Sequence, residues 1–221
     1  MAYESSVPYR AGTEGYTTFR IPAVVRARSG HLLAFAEGRV SSAADSGTIH
    51  IVLKRSGDAG RTWGPLQVVA RNGNGTAGNP APVVLDRGPG AAPPGPQRRR
   101  RHRGPHPPRP GTARRHLVRP FRPQAGLAGP AVQGSALHLG DRGALLFSGP
   151  AHPAARALMT LRTSRDGGLT WRTAHTVGGL PAAYSDLVRL DRHSVGLLYE
   201  TGDFSAYSTI TFRRIPVEEP T

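Results

Sequence analysis

The chain has 221 residues, no Cys and a formal net charge of +15, so a sizeable core is within reach but disulfides and thiolate metal sites are not. No apolar run is long enough to span a bilayer as a helix, and the sequence reads as soluble. The charge is concentrated: residues 87–131 hold 11 of the 29 basic side chains and no acid, and without those 11 the balance is 18 against 14, or +4. That distribution argues against a chain that is basic throughout and built for nucleic acid.

In chain order, the opening MAYESSVPYR has neither a basic n-region nor an apolar h-region, so no secretory leader is expected there. Apolar-rich segments follow at Tyr16-Thr-Thr-Phe19-Arg20-Ile21-Pro22-Ala-Val-Val25 and Leu33-Ala-Phe-Ala-Glu37-Gly-Arg39, then a polar loop, Ala44-Asp45-Ser46-Gly47. Ile49, Ile51 and Leu53 alternate with His50, Val52 and Lys54, the period of a half-buried strand.

That strand runs into Ser56-Gly-Asp58-Ala-Gly60-Arg-Thr62-Trp63. The same eight-residue pattern returns as Ser164-Arg-Asp166-Gly-Gly168-Leu-Thr170-Trp171, after a second alternating run over 158–164. The Asp can accept backbone N–H bonds in a tight turn, the Gly permits positive φ, and the Trp anchors the hairpin on an apolar body. One such hairpin cannot bury its face alone. Two copies of Ser-x-Asp-x-Gly-x-Thr-Trp predict an all-β chain of radially stacked sheets, a β-propeller.

Between the copies, residues 87–131 include Gln97-Arg98-Arg99-Arg100-Arg101-His102-Arg103 and 11 prolines. Three readings fit: a disordered insert that buries too little to offset its ordering entropy, a basic arm for phosphate-bearing partners, or GC-rich coding sequence read out of frame. Lys54 is the only lysine in the chain, which agrees with GC-rich codon usage and favours the third. Phe121 is the only aromatic in the stretch, too few for base stacking. The sequence thus divides into 1–86 with the first turn motif, 87–131, and 132–221 with the second.

The Phe19-Arg20-Ile21-Pro22 motif, the two Asp-box turns, Ala183-Tyr184-Ser185-Asp186-Leu187 and Gly196-Leu-Leu-Tyr199-Glu200 stand in one order. Together they resemble bacterial exo-α-sialidases, the six-bladed propeller neuraminidases, over roughly residues 7–86 and 132–216. The resemblance implies a retaining exo-α-sialidase that removes terminal sialic acid from glycoproteins, glycolipids or other sialylated glycans, with no cofactor and no metal. By that resemblance Tyr184 is the nucleophile, Asp45 the acid/base and Glu200 the acid that orients Arg20. Arg20 and Arg156 are then the first and third members of a three-arginine cluster for the substrate carboxylate, and Arg39 lines the pocket. Ser56, Asp58, Gly60, Trp63, Ser164, Asp166, Gly168 and Trp171 are structural.

A phenol suits this chemistry. A carboxylate nucleophile ~4 Å from the substrate's own carboxylate would be repelled by about 4 kcal/mol at an effective dielectric near 20. Two elements of the family pattern have no counterpart: the middle-blade glutamate that takes the nucleophile's proton, and the second arginine. By family length two to three middle blades, on the order of 130 residues, are missing, so an incomplete propeller with impaired activity is expected. The rival expectations are a non-catalytic sialoglycan-binding remnant and an Arg-rich nucleic-acid binder.

Overall fold

The computed structural model describes residues 4–85, 124–140 and 143–217. The Arg/Pro-rich stretch lies outside the described residues as far as residue 123. Residues 124–131 make a single 3-10 turn at Ala125–Leu127, and beyond it Ala128 offers its carbonyl to Arg162 Nη2 at 3.4 Å. The blades described below belong to one compact unit, Met1–Val84 with Gln124–Thr221.

Among the described residues twelve strands form three four-stranded antiparallel sheets. Blade I is β2 (Thr18–Arg26), β3 (Leu32–Arg39), β4 (Ile49–Ser56) and β5 (Gln67–Ala70), in that order. Blade II is β6 (Ser135–His138), β7 (Leu145–Pro150), β8 (Met159–Ser164) and β9 (Arg172–Thr176). Blade III runs β10 (Ala182–Arg189), β11 (Ser194–Thr201), β12 (Thr209–Pro216) and takes β1 (Ser5–Arg10) as its outer strand, with Ser5 opposite Arg213. These are successive meanders of an incomplete propeller.

Blade III is the middle of the three. Its β10 packs against β2 on one side and against β6 and β7 on the other. Two cores result. Tyr9, Phe19, Val24, Leu32, Ala34, Val52, Leu198, Ile210 and Phe212 share the one between blades I and III. Leu146, Met159, Leu161, Val177, Leu187, Val195, Leu197 and Tyr199 share the one between blades II and III. β11 sends Leu198 to the first core and Val195, Leu197 and Tyr199 to the second. That is why Val195-Gly-Leu-Leu-Tyr199 reads as a continuous apolar run: a strand buried on both faces has no polar face to alternate with. Gly196 allows the close approach, since a Cβ there would meet the Phe212 ring at 2.3 Å.

In β4 the half-buried reading needs correction. Val52, assigned with the polar positions, is fully buried because its face joins the core shared with blade III, while Ile51 is only partly covered.

The two Asp boxes have nearly identical geometry. Ser56 Oγ donates to Asp58 Oδ1 at 2.7 Å and accepts from Gly60 N at 2.8 Å; Asp58 also accepts from Arg61 N, Thr62 N and Thr62 Oγ1. Ser164, Asp166, Gly168, Leu169 and Thr170 repeat each bond to within 0.1 Å. The tryptophans differ. Trp63 Nε1 donates to Ser6 Oγ on β1 and packs edge-on against Phe212, so the first box ties blade I to blade III. Trp171 Nε1 donates to Gly168 O, within its own turn.

Gly60 and Gly168 both have φ +89°, but a Cβ at Gly60 would lie 2.1 Å from the Phe212 ring, whereas at Gly168 the nearest atom is 3.6 Å away. Both alanine variants carry the backbone strain, and only one overpacks. Gly60→Ala is therefore expected to lose about 1–3 kcal/mol more than Gly168→Ala, measured by urea unfolding.

Hydrogen bonds from the Thr170 hydroxyl and amide and from Ser164 hold the Asp166 carboxyl down to about 2, and the same contacts depress Asp58. A folded value below the unfolded one, near 3.9, contributes stability above the unfolded value that is lost as pH falls through the folded one. Replacing Asp166 by Asn is expected to flatten the fall in melting temperature between about pH 4 and pH 2, followed by circular dichroism.

Candidate active site

The inner strands of blades I and III each carry an irregularity, and both irregularities face one carboxylate. On β2 the pairing jumps from Arg20–Glu37 to Ala23–Phe35, leaving one extra residue on β2. The bulge accommodates Pro22, which has no N–H for a ladder. Ile21 there has φ +55°, rare for a β-branched residue and a conformation that costs on the order of 1–3 kcal/mol. On β10 the pairing jumps from Ala182–Thr201 to Ser185–Tyr199, again with one residue extra, at Ala183-Tyr184.

The carboxylate between them is Glu200 on β11, completely excluded from solvent. Its Oε1 accepts from Arg20 Nε at 2.8 Å and from Ile21 N at 2.9 Å, and its Oε2 accepts from Tyr184 N at 3.3 Å. Amides released from their ladders by the bulges are thus satisfied by the group that fixes Arg20. Burial alone would pull the Arg20 guanidinium down, but the charge and hydrogen bond of Glu200 outweigh it and the net shift is upward.

Around Arg20 the structure gathers two tyrosines and a second arginine. Arg20 Cζ lies 5.4 Å from the ring centre of Tyr184 and 3.9 Å from that of Tyr207. Arg156, from the exposed loop before β8, places Cζ 5.9 Å from the Tyr184 ring and donates through Nη1 to the Tyr207 hydroxyl. Arg20, Tyr184, Glu200 and Arg156, named from sequence, therefore meet at one place contributed by all three blades.

Arg39 and Asp45 form a neighbouring group. Arg39, at the end of β3, is buried; its Nε and Nη2 donate to Glu37 Oε2 at 3.1 and 2.7 Å, and its Nη1 is 2.8 Å from Asp45 Oδ1. Asp45 is exposed on the β3–β4 loop, and its ion-pair partner is Arg39. Glu37, directly across the ladder from Arg20, also accepts the Asn79 amide at 2.8 Å. It was not singled out from sequence, although Glu37-Gly-Arg39 on one strand face carries the pairing signal.

Asp186 was missed as well. Its Oδ2 accepts from Val24 N on β2, and its Oδ1 from Ser135 Oγ on β6 and from Leu187 N, so one side chain bridges three blades. Burial raises its carboxyl above the ordinary range despite those donors. Among the described residues no group of three or more His, Asp or Glu is placed to hold a metal ion, and no helix is long and apolar enough to cross a membrane.

The chain is 49% identical over 78 residues to an exo-alpha-sialidase of Aspergillus fumigatus, a match covering 33% of this chain and 19% of the relative. It is 46% identical over 76 residues to an exo-alpha-sialidase of Arthroderma benhamiae, covering 32% and 19%. Over about a third of its length the chain is similar to exo-alpha-sialidases. It matches only about a fifth of the length of these curated relatives, and no family model matches it. Its fold is that of the Hadza microbial sialidase Hz136, with TM-score 0.65 over 96% of this chain and 68% of that one at 16% identity.

Arg20 and Glu200 make a buried ion pair with Arg20 only 5% exposed. Glu200→Ala strands a guanidinium and two amides at once and is expected to destabilise the fold by about 3–5 kcal/mol. The check is a denaturant midpoint for Glu200→Ala beside Arg20→Leu with Glu200→Leu, where removing both charges should cost less than removing one.

Proposed function

We propose that this chain derives from a retaining exo-α-sialidase and that Arg20, Arg156 and Tyr184 form the remnant of its sialoside site. The observation that carries the reading is the pair of guanidiniums flanking one phenol, with the inner one fixed by a buried carboxylate. Sialic acid bears a carboxylate on its anomeric carbon, so two arginines that receive that anion hold the anomeric carbon against the Tyr184 hydroxyl.

In the proposed chemistry Tyr184 oxygen bonds to the anomeric carbon as the bond to the leaving oxygen breaks, and Asp45 protonates that oxygen. Water, deprotonated by Asp45, then displaces Tyr184 and restores the original configuration. Asp45 owes its role to the sequence resemblance; in the structure its carboxylate sits with Arg39. Tyr184 must also give up its proton, and among the described residues its hydroxyl has no carboxylate partner. Slow turnover follows from that deficit.

The same deficit favours a second reading, a sialoglycan-binding remnant without turnover, which keeps the arginines for the anion. Release of a fluorogenic aglycone from an α-sialoside separates the two. Slow hydrolysis by the full chain that falls to background in Tyr184→Phe is the expected result. Sialoside binding that survives Tyr184→Phe, with hydrolysis absent in both proteins, would establish the binding reading instead.

A further inference from the structure

Tyr207 has no part in the chemistry above, yet it makes the closest ring contact with the cluster. It lies in the loop between β11 and β12, where Thr18 Oγ1 donates to its carbonyl at 3.2 Å and its own amide donates to Ser205 Oγ at 3.2 Å. Its ring is 1.5 Å nearer to Arg20 Cζ than the Tyr184 ring is, and its hydroxyl accepts from Arg156 Nη1.

The two arginines differ in how they are held. Arg20 has Glu200 behind it and little freedom. Arg156 is exposed, sits on a loop of another blade, and has no carboxylate among its described partners; the Tyr207 hydroxyl is its hydrogen-bond acceptor. A long unfixed side chain must be ordered when an anion binds, and that cost comes out of the affinity. A phenol has the right chemistry to fix it beforehand. Its face accepts the cation of Arg20, its oxygen accepts an N–H of Arg156, and neither contact places a negative charge where a carboxylate ligand must go.

The geometry points to Tyr207 as a positioning residue that preorganises Arg20 and Arg156 as one two-arginine site for a planar carboxylate. This rests on the reading that those arginines receive the sialoside anion. With only Arg20 and Arg156 at the cluster among the described residues, an aromatic stack and a phenol hydrogen bond bring that pair into register.

The test uses the full chain, with Tyr207→Phe and Tyr207→Leu, and two probes: the α-methyl glycoside of N-acetylneuraminic acid and its methyl ester, which lacks the anion. Affinities come from saturation-transfer NMR titrations, and exchange of the Arg20 Nε–H proton is followed in 15N-labelled protein. Tyr207→Phe keeps the ring and loses the acceptor, so acid affinity should fall about three- to tenfold with ester affinity and Arg20 exchange unchanged. Tyr207→Leu loses both contacts, so acid affinity should fall about ten- to thirtyfold and Arg20 Nε–H exchange should accelerate.

Acid affinity and Arg20 exchange both unchanged in Tyr207→Leu would overturn the assignment. If the unaltered chain binds neither probe, the sialoside reading fails on its own. The exchange measurement then decides the role of Tyr207: faster exchange in Tyr207→Leu and restoration by Tyr207→Phe support it, and unchanged exchange defeats it.

Discussion

A carboxylate removed from water must be matched by donors, and Glu200 draws its donors from two different blades. Arg20 and the Ile21 amide come from β2, and the Tyr184 amide comes from β10. Each amide is free only because its strand carries a bulge, and each bulge is tolerated only because the carboxylate receives what it releases. The strained Ile21 backbone, the direction of Arg20 and the placing of Tyr184 are therefore one linked arrangement. An ion pair this deeply buried contributes little net stability, because desolvation offsets attraction. Its value here lies in geometry: it ties the bulges of β2 and β10 to one carboxylate on β11.

The packing around this hub is equally shared. Blade III supplies a face to each neighbour, and the alternation of Leu198 with Leu197 and Tyr199 divides one strand between two cores. Asp186 adds polar links from the same blade to β2 and β6. The site at the inner strands is thus supported from both sides by blade III, which explains how Arg20, Tyr184, Glu200 and Arg156 still meet in a chain with only three described blades.

Much of this was legible in the residues. The repeated turn motif marked two hairpins because its Ser, Asp, Gly and Thr satisfy the turn by local bonds that any copy reproduces. Arg20, Tyr184 and Glu200 stood in motifs whose order is tied to the fold. Tyr207 was not legible: its partners Arg20 and Arg156 are remote in sequence, and a tyrosine in a polar loop carries no period. Asp186 was hidden for a related reason, since a carboxylate inside an apolar strand betrays a bridge only once the neighbouring strands are known. Val52 was misread because alternation assumes one wet face, and β4 meets a core on the face assigned to water. The residues of 87–123 lie outside the described structure, so the three readings of that stretch stand on composition alone.

The pairing of β1 with β12 carries a kinetic consequence. The outermost strand of blade III is synthesised first among the described strands, while its partner is synthesised last, with Ser5 waiting for Arg213. Blade III is thus completed only after every other described strand has been synthesised. Contacts of such long sequence separation form late and slowly. Thermodynamically the same closure is forgiving, because each doubling of a flexible loop adds only about 0.6 kcal/mol of entropy cost. A blade closed by its two most distant described strands can gain or lose sequence between them at small entropic expense, and what limits such changes is the set of blade faces left to pair.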